Sequence, residues 1–331
     1  MDALSELLKA THLTGATFIA AELKAPWFFR APPSQAIAAA LMPEADHIVP
    51  YHLIGAGACF VSLDDGPMLE LAAGDVVIFP HGDQHSLGGS SQPVPDTLTV
   101  SDLSRLVSRG ETIPVRGGGD GATTELICGF LACNQRLCQP LLIGLPRVIR
   151  VSLNDDPGAA WLRDTLRFSA NESAHPRAGS ALMLARLSEL IFVEALRRYI
   201  DAATDARTGW LAALRDRHIA LALGRLHGSP GQAWTVDALA RTAGLSRSVF
   251  ADRFTQCLGQ PPMQYLATWR LTLAADQLRS GKVSIGRIAE QVGYESEASF
   301  TRAFKREFGL PPATWRRTQE PAGPAAPVSP R

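Results

Sequence analysis

Residues 239–254, LARTAGLSRSVFADRF, and residues 288–304, IAEQVGYESEASFTRAF, are two copies of one pattern. Ala240, Gly244, Phe250 and Phe254 recur as Ala289, Gly293, Phe300 and Phe304, offset by 49 to 50 residues with one extra residue in the second turn. A duplicated unit is harder to produce by chance than any single motif. Each copy reads as helix, sharp turn, helix. The alanine lets two helices approach closely, and the glycine stands where the first helix ends and positive φ is needed. Ser246 and Ser296 are N-cap residues for the second helix, whose two phenylalanines, one turn apart, mark its buried side.

The opposite side carries Arg247, Ser248, Ala251 and Asp252 in the first copy, and Glu297, Ala298, Ser299, Arg302, Lys305 and Arg306 in the second. The second face is the more basic. Between the copies, Pro262 to Ser280 reads as one helix of 19 residues, about 28 Å long at the usual rise. That length suits two second helices entering successive major grooves about 34 Å apart on double-stranded DNA. Charge agrees with this reading. The formal net charge is zero, yet residues 1–209 hold 16 Lys and Arg against 23 Asp and Glu, whereas residues 210–331 hold 16 against 9. A basic part joined to an acidic one points to an anionic partner for the former.

The stretches GLSRSVFADRFTQCLGQPPMQYLATWRL and VGYESEASFTRAFKREFGLPPATWRR closely resemble the signature of AraC/XylS regulators, over about residues 211–317. The resemblance implies a seven-helix module with both recognition helices in the major groove. By motif position it assigns base-edge contacts to Ser248, Ala251 and Asp252 and to Ala298, Ser299 and Arg302. Arg302 can grip guanine bidentately, and Asp252 can accept from cytosine N4. Arg247, Arg253, Lys305 and Arg306 fit phosphates or solvated faces.

The N-terminal half has a different texture. From Thr17 to about Leu87, short apolar runs broken by Gly and Pro read as strands with tight turns, and ELICGFLAC, Glu125 to Cys133, as another. Gly88 to Thr124, rich in Gly, Ser and Pro, reads as an excursion with a short helix near Asp102 to Val107. Gly74 to His85, GDVVIFPHGDQH, fits the second cupin motif and resembles the cupin-like sensor domain of a subgroup of AraC regulators. In metal cupins that histidine is a ligand, but the first motif's His-x-His and glutamate are missing. Two readings stay open. Either His81 and His85, with His52 or a cysteine, hold zinc or another transition metal, or the histidines bond a turn and the barrel takes an organic effector or nothing. Cys128, Cys133 and Cys138 are redox candidates, with Cys138, in NQRLCQP, the expected exposed thiol beside Arg136.

After Pro140 the expectation is helical. GSALMLARLSELIFVEALRRY, Gly179 to Tyr199, has an apolar stripe wider than one contact face requires, which fits an interior connector helix or a dimer interface. The fold class expected is α+β multidomain: a cupin-like β-barrel over 1–150, a helical connector over 151–208, an all-α double helix-turn-helix module over 209–318, and a disordered tail over 319–331. Met1 to Ala10 lacks the basic stretch and apolar core of a secretory signal, no apolar run could span a bilayer, and five cysteines without a small-domain framework fit reduced thiols, so a cytoplasmic, non-membrane protein is expected. The function expected is a DNA-binding homodimer controlled by a small molecule or oxidant, meeting RNA polymerase if it activates. The rivals are a cupin metalloenzyme, isomerase or dioxygenase, with an accessory DNA-binding part, and an adaptor acting through helix 179–199. No acid/base or nucleophile constellation supports an enzyme.

Overall fold

The computed structural model describes residues 2–11, 13–41, 45–63, 66–90, 115–153, 160–175, 177–202, 208–279, 281 and 283–319. The helix expected near 102–107 and the tail from 320 onward lie outside them. The chain divides into two compact units, Thr11–Asp205 and, together, Met1–Ala10 with Ala206–Arg331. The grouping differs from the boundaries read from sequence: residues 151–205 fall in the same unit as the strands, and the first ten residues fall with the C-terminal helices.

The Thr11–Asp205 unit has two facing sheets. One holds β1 (Thr14–Lys24), β3 (His47–Ala56), β6 (Asp75–Ile78), β8 (Val115–Gly118), β9 (Thr123–Cys133) and β10 (Ile149–Ser152), in the order β10-β6-β3-β9-β1-β8. The other holds β2 (Phe28–Ala31), β4 (Ala58–Leu63), β5 (Leu69–Ala72) and β7 (His85–Gly88), in the order β2-β7-β4-β5. Alternation along each strand sends one set of side chains inward. Ile19, Ile54, Val77 and Leu126 from the first sheet meet Phe29, Val61, Leu71 and Leu87 from the second in one core.

Helices α2 (Ser34–Leu41), α3 (Gln135–Leu142), α4 (Ala160–Ala174) and α5 (Ser180–Ala202) complete the unit. β10 is a strand where only helix was expected. It is recruited by β6, with Val151 opposite Val76, a non-local pairing that helical periodicity after Pro140 does not reveal. α5 packs on β1, β9 and β10. Its wide stripe splits in two: Leu184, Ile191, Phe192 and Leu196 are buried, whereas Leu182, Met183 and Leu190 are exposed. Tyr51 of β3 fixes the helix by donating to Ser188 Oγ at 2.9 Å. Its ring lies across Gly129, the residue opposite in β9, where a Cβ would fall 2.2 Å from the Tyr51 hydroxyl.

In the other unit, α1 (Ala3–Ala10) packs on α7 (Arg217–Gly228). The first helix-turn-helix is α8 (Val236–Ala243) and α9 (Arg247–Leu258), and the second is α11 (Ile285–Gln291) and α12 (Glu297–Phe308). Short α6 (Trp210–Arg215) precedes them, α10 (Pro262–Arg279) joins them, and α13 (Pro312–Gln319) follows. The local expectations hold. Gly244 and Gly293 have φ of 67° and 84°. The turns close alike, Leu245 N–H to Ala240 O at 3.0 Å and Tyr294 N–H to Ala289 O at 2.9 Å. Ser246 and Ser296 cap α9 and α12 by accepting from Val249 and Ser299 N–H. Phe250–Phe254 and Phe300–Phe304 repeat the same tilt of 56°, all four rings buried.

A buried polar knot supports the first unit. Trp210 Nε1–H donates to the Tyr265 hydroxyl at 3.0 Å, and that hydroxyl bonds His227 Nε2 at 2.7 Å. Burial pushes the His227 imidazole down to about 3. An unfolded chain takes that proton near pH 6.5, while the folded chain refuses it until about pH 3. The stabilisation is therefore complete above pH 6.5 and is lost as pH falls toward 3, by about 1.4 kcal/mol per pH unit from this group. Urea unfolding of His227→Gln between pH 7 and 4.5 should show a pH slope smaller by about one proton than that of the unmodified chain. Equal slopes would remove His227 as the cause.

Candidate nucleic-acid interface and barrel cavity

The two second helices present unequal faces. On α9, Arg247, Ser248 and Asp252 are exposed and Ala251 is half-buried, but the basic residues are engaged. Arg247 lies 3.6 Å from Asp237, and Arg253 pairs with Asp216, the residue that caps α7. Arg253 thus braces one helix against another, and its assignment to phosphate weakens. Val249, which sequence reading passed over, is 49% exposed on the same face. On α12, Ala298, Arg302, Lys305 and Arg306 are exposed. None of these three basic side chains makes an ion pair among the described residues. Ser299 is half-buried and its hydroxyl donates to Ser296 O at 2.8 Å, so the α12 cap already uses it.

Arg270, on α10, is a second residue that sequence reading missed. Its guanidinium donates to three main-chain carbonyls, Pro230 at 2.7 Å, Gln232 at 2.7 Å and Gly293 at 3.2 Å. The loop before α8 is thereby tied to the turn of the second unit. Gly231 and Gly293 allow this approach, since a Cβ on Gly231 would come 2.6 Å from Gln291 O and one on Gly293 would come 2.6 Å from Gly231 O.

Between the sheets of the other unit lies a cavity lined mainly by apolar side chains including Leu23, Trp27, Phe29, Leu126 and Phe130, together with His52, His85 and Cys128. His52 stands opposite Cys128 across the β3–β9 pair. His85 opens β7 after the turn that Gly82 makes with φ of 69°. The two imidazoles meet with Nε2 to Nε2 at 2.7 Å, and His85 stacks on Phe79. Burial and the neighbouring His85 hold His52 well below the ordinary histidine range. His81 does not join them. It is exposed and its ring faces the Leu145 carbonyl at 3.0 Å.

These groups do not suit a transition metal. A metal bound to both Nε2 atoms at about 2.0–2.1 Å would hold them about 3 Å or more apart, and here they are joined to each other. Among the described residues no three His, Cys, Asp or Glu side chains are grouped so as to hold a metal. The cysteines are also placed differently from expectation. Cys138 is buried in α3, not exposed in a loop, because Asn134 caps that helix by accepting from Arg136 and Leu137 N–H. It hydrogen-bonds Cys133, and this contact, ahead of burial, raises the Cys133 thiol well above its usual range. Burial pushes Cys59 and Cys128 up to about 12.

Residues 2–201 match the Cupin family and residues 239–318 match the Helix-turn-helix domain family. Over 83% of its length the chain is 36% identical to an AraC-like transcription regulator of Streptomyces lividans, 88% of which is covered. The chain belongs to the AraC-like family of transcription regulators. A second AraC-like relative, the HTH-type transcriptional regulator AlkR of Acinetobacter baylyi, is 29% identical over 96% of this chain and 99% of its own. The solved DNA-binding domain of AdpA in complex with a target DNA is 29% identical, with a TM-score of 0.30, over 31% of this chain and 92% of that one. By its family and its helix-turn-helix match this AraC-like chain is a DNA-binding transcription regulator, the function expected from its repeated motif. No helix among its described residues is long and apolar enough to cross a membrane.

Proposed function

We propose that this AraC-like protein is a sequence-specific regulator that binds double-stranded DNA as a homodimer, reads bases chiefly through α12, and is controlled by an organic effector in the barrel. The observation that carries it is the asymmetry of the two faces: Arg302, Lys305 and Arg306 are exposed without ion pairs among the described residues, while Arg247 and Arg253 face carboxylates. Arg302 takes the base edge and Lys305 and Arg306 the phosphates. The α9 face, with Ser248, Ala251, Asp252 and the apolar Val249, contributes thymine-methyl contact and DNA shape. Arg302→Ala should weaken binding to the promoter beside the protein's own gene by about 1–3 kcal/mol and relax preference at one position. Anisotropy titrations against single-base variants measure both. Preference unchanged at every base would refute the assignment.

An organic effector fits better than an oxidant, because burial holds the Cys59 and Cys128 thiols protonated, the Cys138 contact does the same for Cys133, and the thiolate is the reactive form. The exposed apolar residues Trp161 and Phe168 of α4 and Leu182, Met183 and Leu190 of α5 supply the dimer face. Leu182→Glu with Leu190→Glu should give monomers by sedimentation velocity, with specific DNA affinity lowered at least tenfold. A dimer that survives both substitutions would place the interface elsewhere. RNA polymerase is the further partner if the regulator activates.

A further inference from the structure

The barrel cavity has one polar group whose hydrogen-bonding role follows from its neighbours. His85 Nδ1 lies 2.8 Å from the Asp83 carbonyl, which can only accept, so Nδ1 carries a proton. His85 is fully buried, stacked on Phe79, where a neutral ring is favoured. Its Nε2 is then a lone pair, and the bond at 2.7 Å needs the proton of His52 Nε2. Neutral His52 is left with a lone pair on Nδ1. That atom is buried and without a partner among the described residues, on a side chain only 3% exposed that lines the cavity. A buried acceptor without a donor costs free energy that a ligand can recover.

We infer that the cavity takes an uncharged, largely apolar molecule carrying one O–H or N–H donor, as in a phenol or alcohol, whose proton is received by His52 Nδ1. The inference rests on the effector reading above and gives that effector its chemistry. Among the described residues the lining contains no Lys, Arg, Asp or Glu, so a carboxylate would enter without a counter-charge and against a lone pair. A polyol would leave most of its hydroxyls unpaired.

The probes are 4-propylphenol, its methyl ether 4-propylanisole, and 4-propylbenzoate, titrated calorimetrically into the full-length protein at pH 8 without DNA. The phenol should bind about tenfold more tightly than the ether, in keeping with one hydrogen bond, and the benzoate should not bind at millimolar concentration. His52→Phe combined with His85→Phe, which leaves no imidazole acceptor in the cavity, and checked for an unaltered thermal transition, should bind ether and phenol equally. His52→Asn, which returns an amide oxygen near the Nδ1 position, should recover part of the preference and serves if the phenylalanine variant does not fold. Equal binding of phenol and ether to the unmodified protein, tightest binding of the benzoate, or failure of all three to bind would overturn the inference. Footprinting with and without the phenol is a separate arm. A footprint that ignores bound phenol overturns ligand control but not the donor preference, and the titration leaves DNA binding itself untouched.

Discussion

Phe304→Ala is expected to destabilise the second helix-turn-helix by about 3–5 kcal/mol, the range for truncating a buried aromatic side chain. The ring is fully buried, with centroids 5.5 Å from Phe300, 4.6 Å from Phe308 and 5.9 Å from Trp315, so its loss opens a space bounded by rigid neighbours that cannot close in. The same ring backs the helix that carries Arg302, Lys305 and Arg306. Stability and recognition should therefore fail together, with the urea midpoint lowered and the sequence-specific footprint lost. Phe254→Ala is the matched control, since Phe254 is equally buried beside Phe250 and Tyr265. It should cost comparable stability but keep protection under the second unit. Equal loss of footprint from both variants would argue against the division of labour between α9 and α12.

The proposed division is partly legible in sequence, for reasons that separate local from non-local information. Gly244, Gly293, Ser246, Ser296 and the four phenylalanines encode turns, caps and a buried side within a few residues of chain. Their meaning survives without tertiary context. Whether Arg253 is free does not, since its partner Asp216 is 37 positions away. The barrel shows the same limit. The run from Gly74 to His85 announced a strand, a turn and a buried histidine, and the structure has them. His81 and His85, close in sequence, were drawn into one set, yet the turn sends the first to Leu145 and the second into the cavity. The partner that His85 does meet, His52, is 33 residues distant and faces it from the opposite sheet. Cys138 was misplaced for a related reason. NQRLCQP reads as a loop, but a proline late in an eight-residue helix costs little when Asn134 caps the start and the apolar face of Leu137 and Leu141 is buried.

Arg270→Ala should cost both folding stability and DNA binding. The substitution removes three charge-assisted hydrogen bonds to the carbonyls of Pro230, Gln232 and Gly293. Each is worth about 1.5–3 kcal/mol at most, but the site is half-buried and water can reach part of it, so a stability loss of about 2–4 kcal/mol is expected. The functional cost follows from what the three carbonyls belong to. Two lie in the loop that leads into α8 and one in the turn between α11 and α12, so the guanidinium fixes one helix-turn-helix against the other. Two reading heads held at a set spacing bind as one ligand. Once their spacing is free, the second contact must be paid for in conformational entropy. Arg270→Ala should then lower affinity for the full operator at least tenfold while leaving affinity for a half-site under α12 nearly unchanged. Arg270→Lys, with one charged head in place of a planar fork, should behave almost as badly. Equal losses on the full and half sites would mean that Arg270 acts on the second unit alone and that α10 by itself sets the spacing.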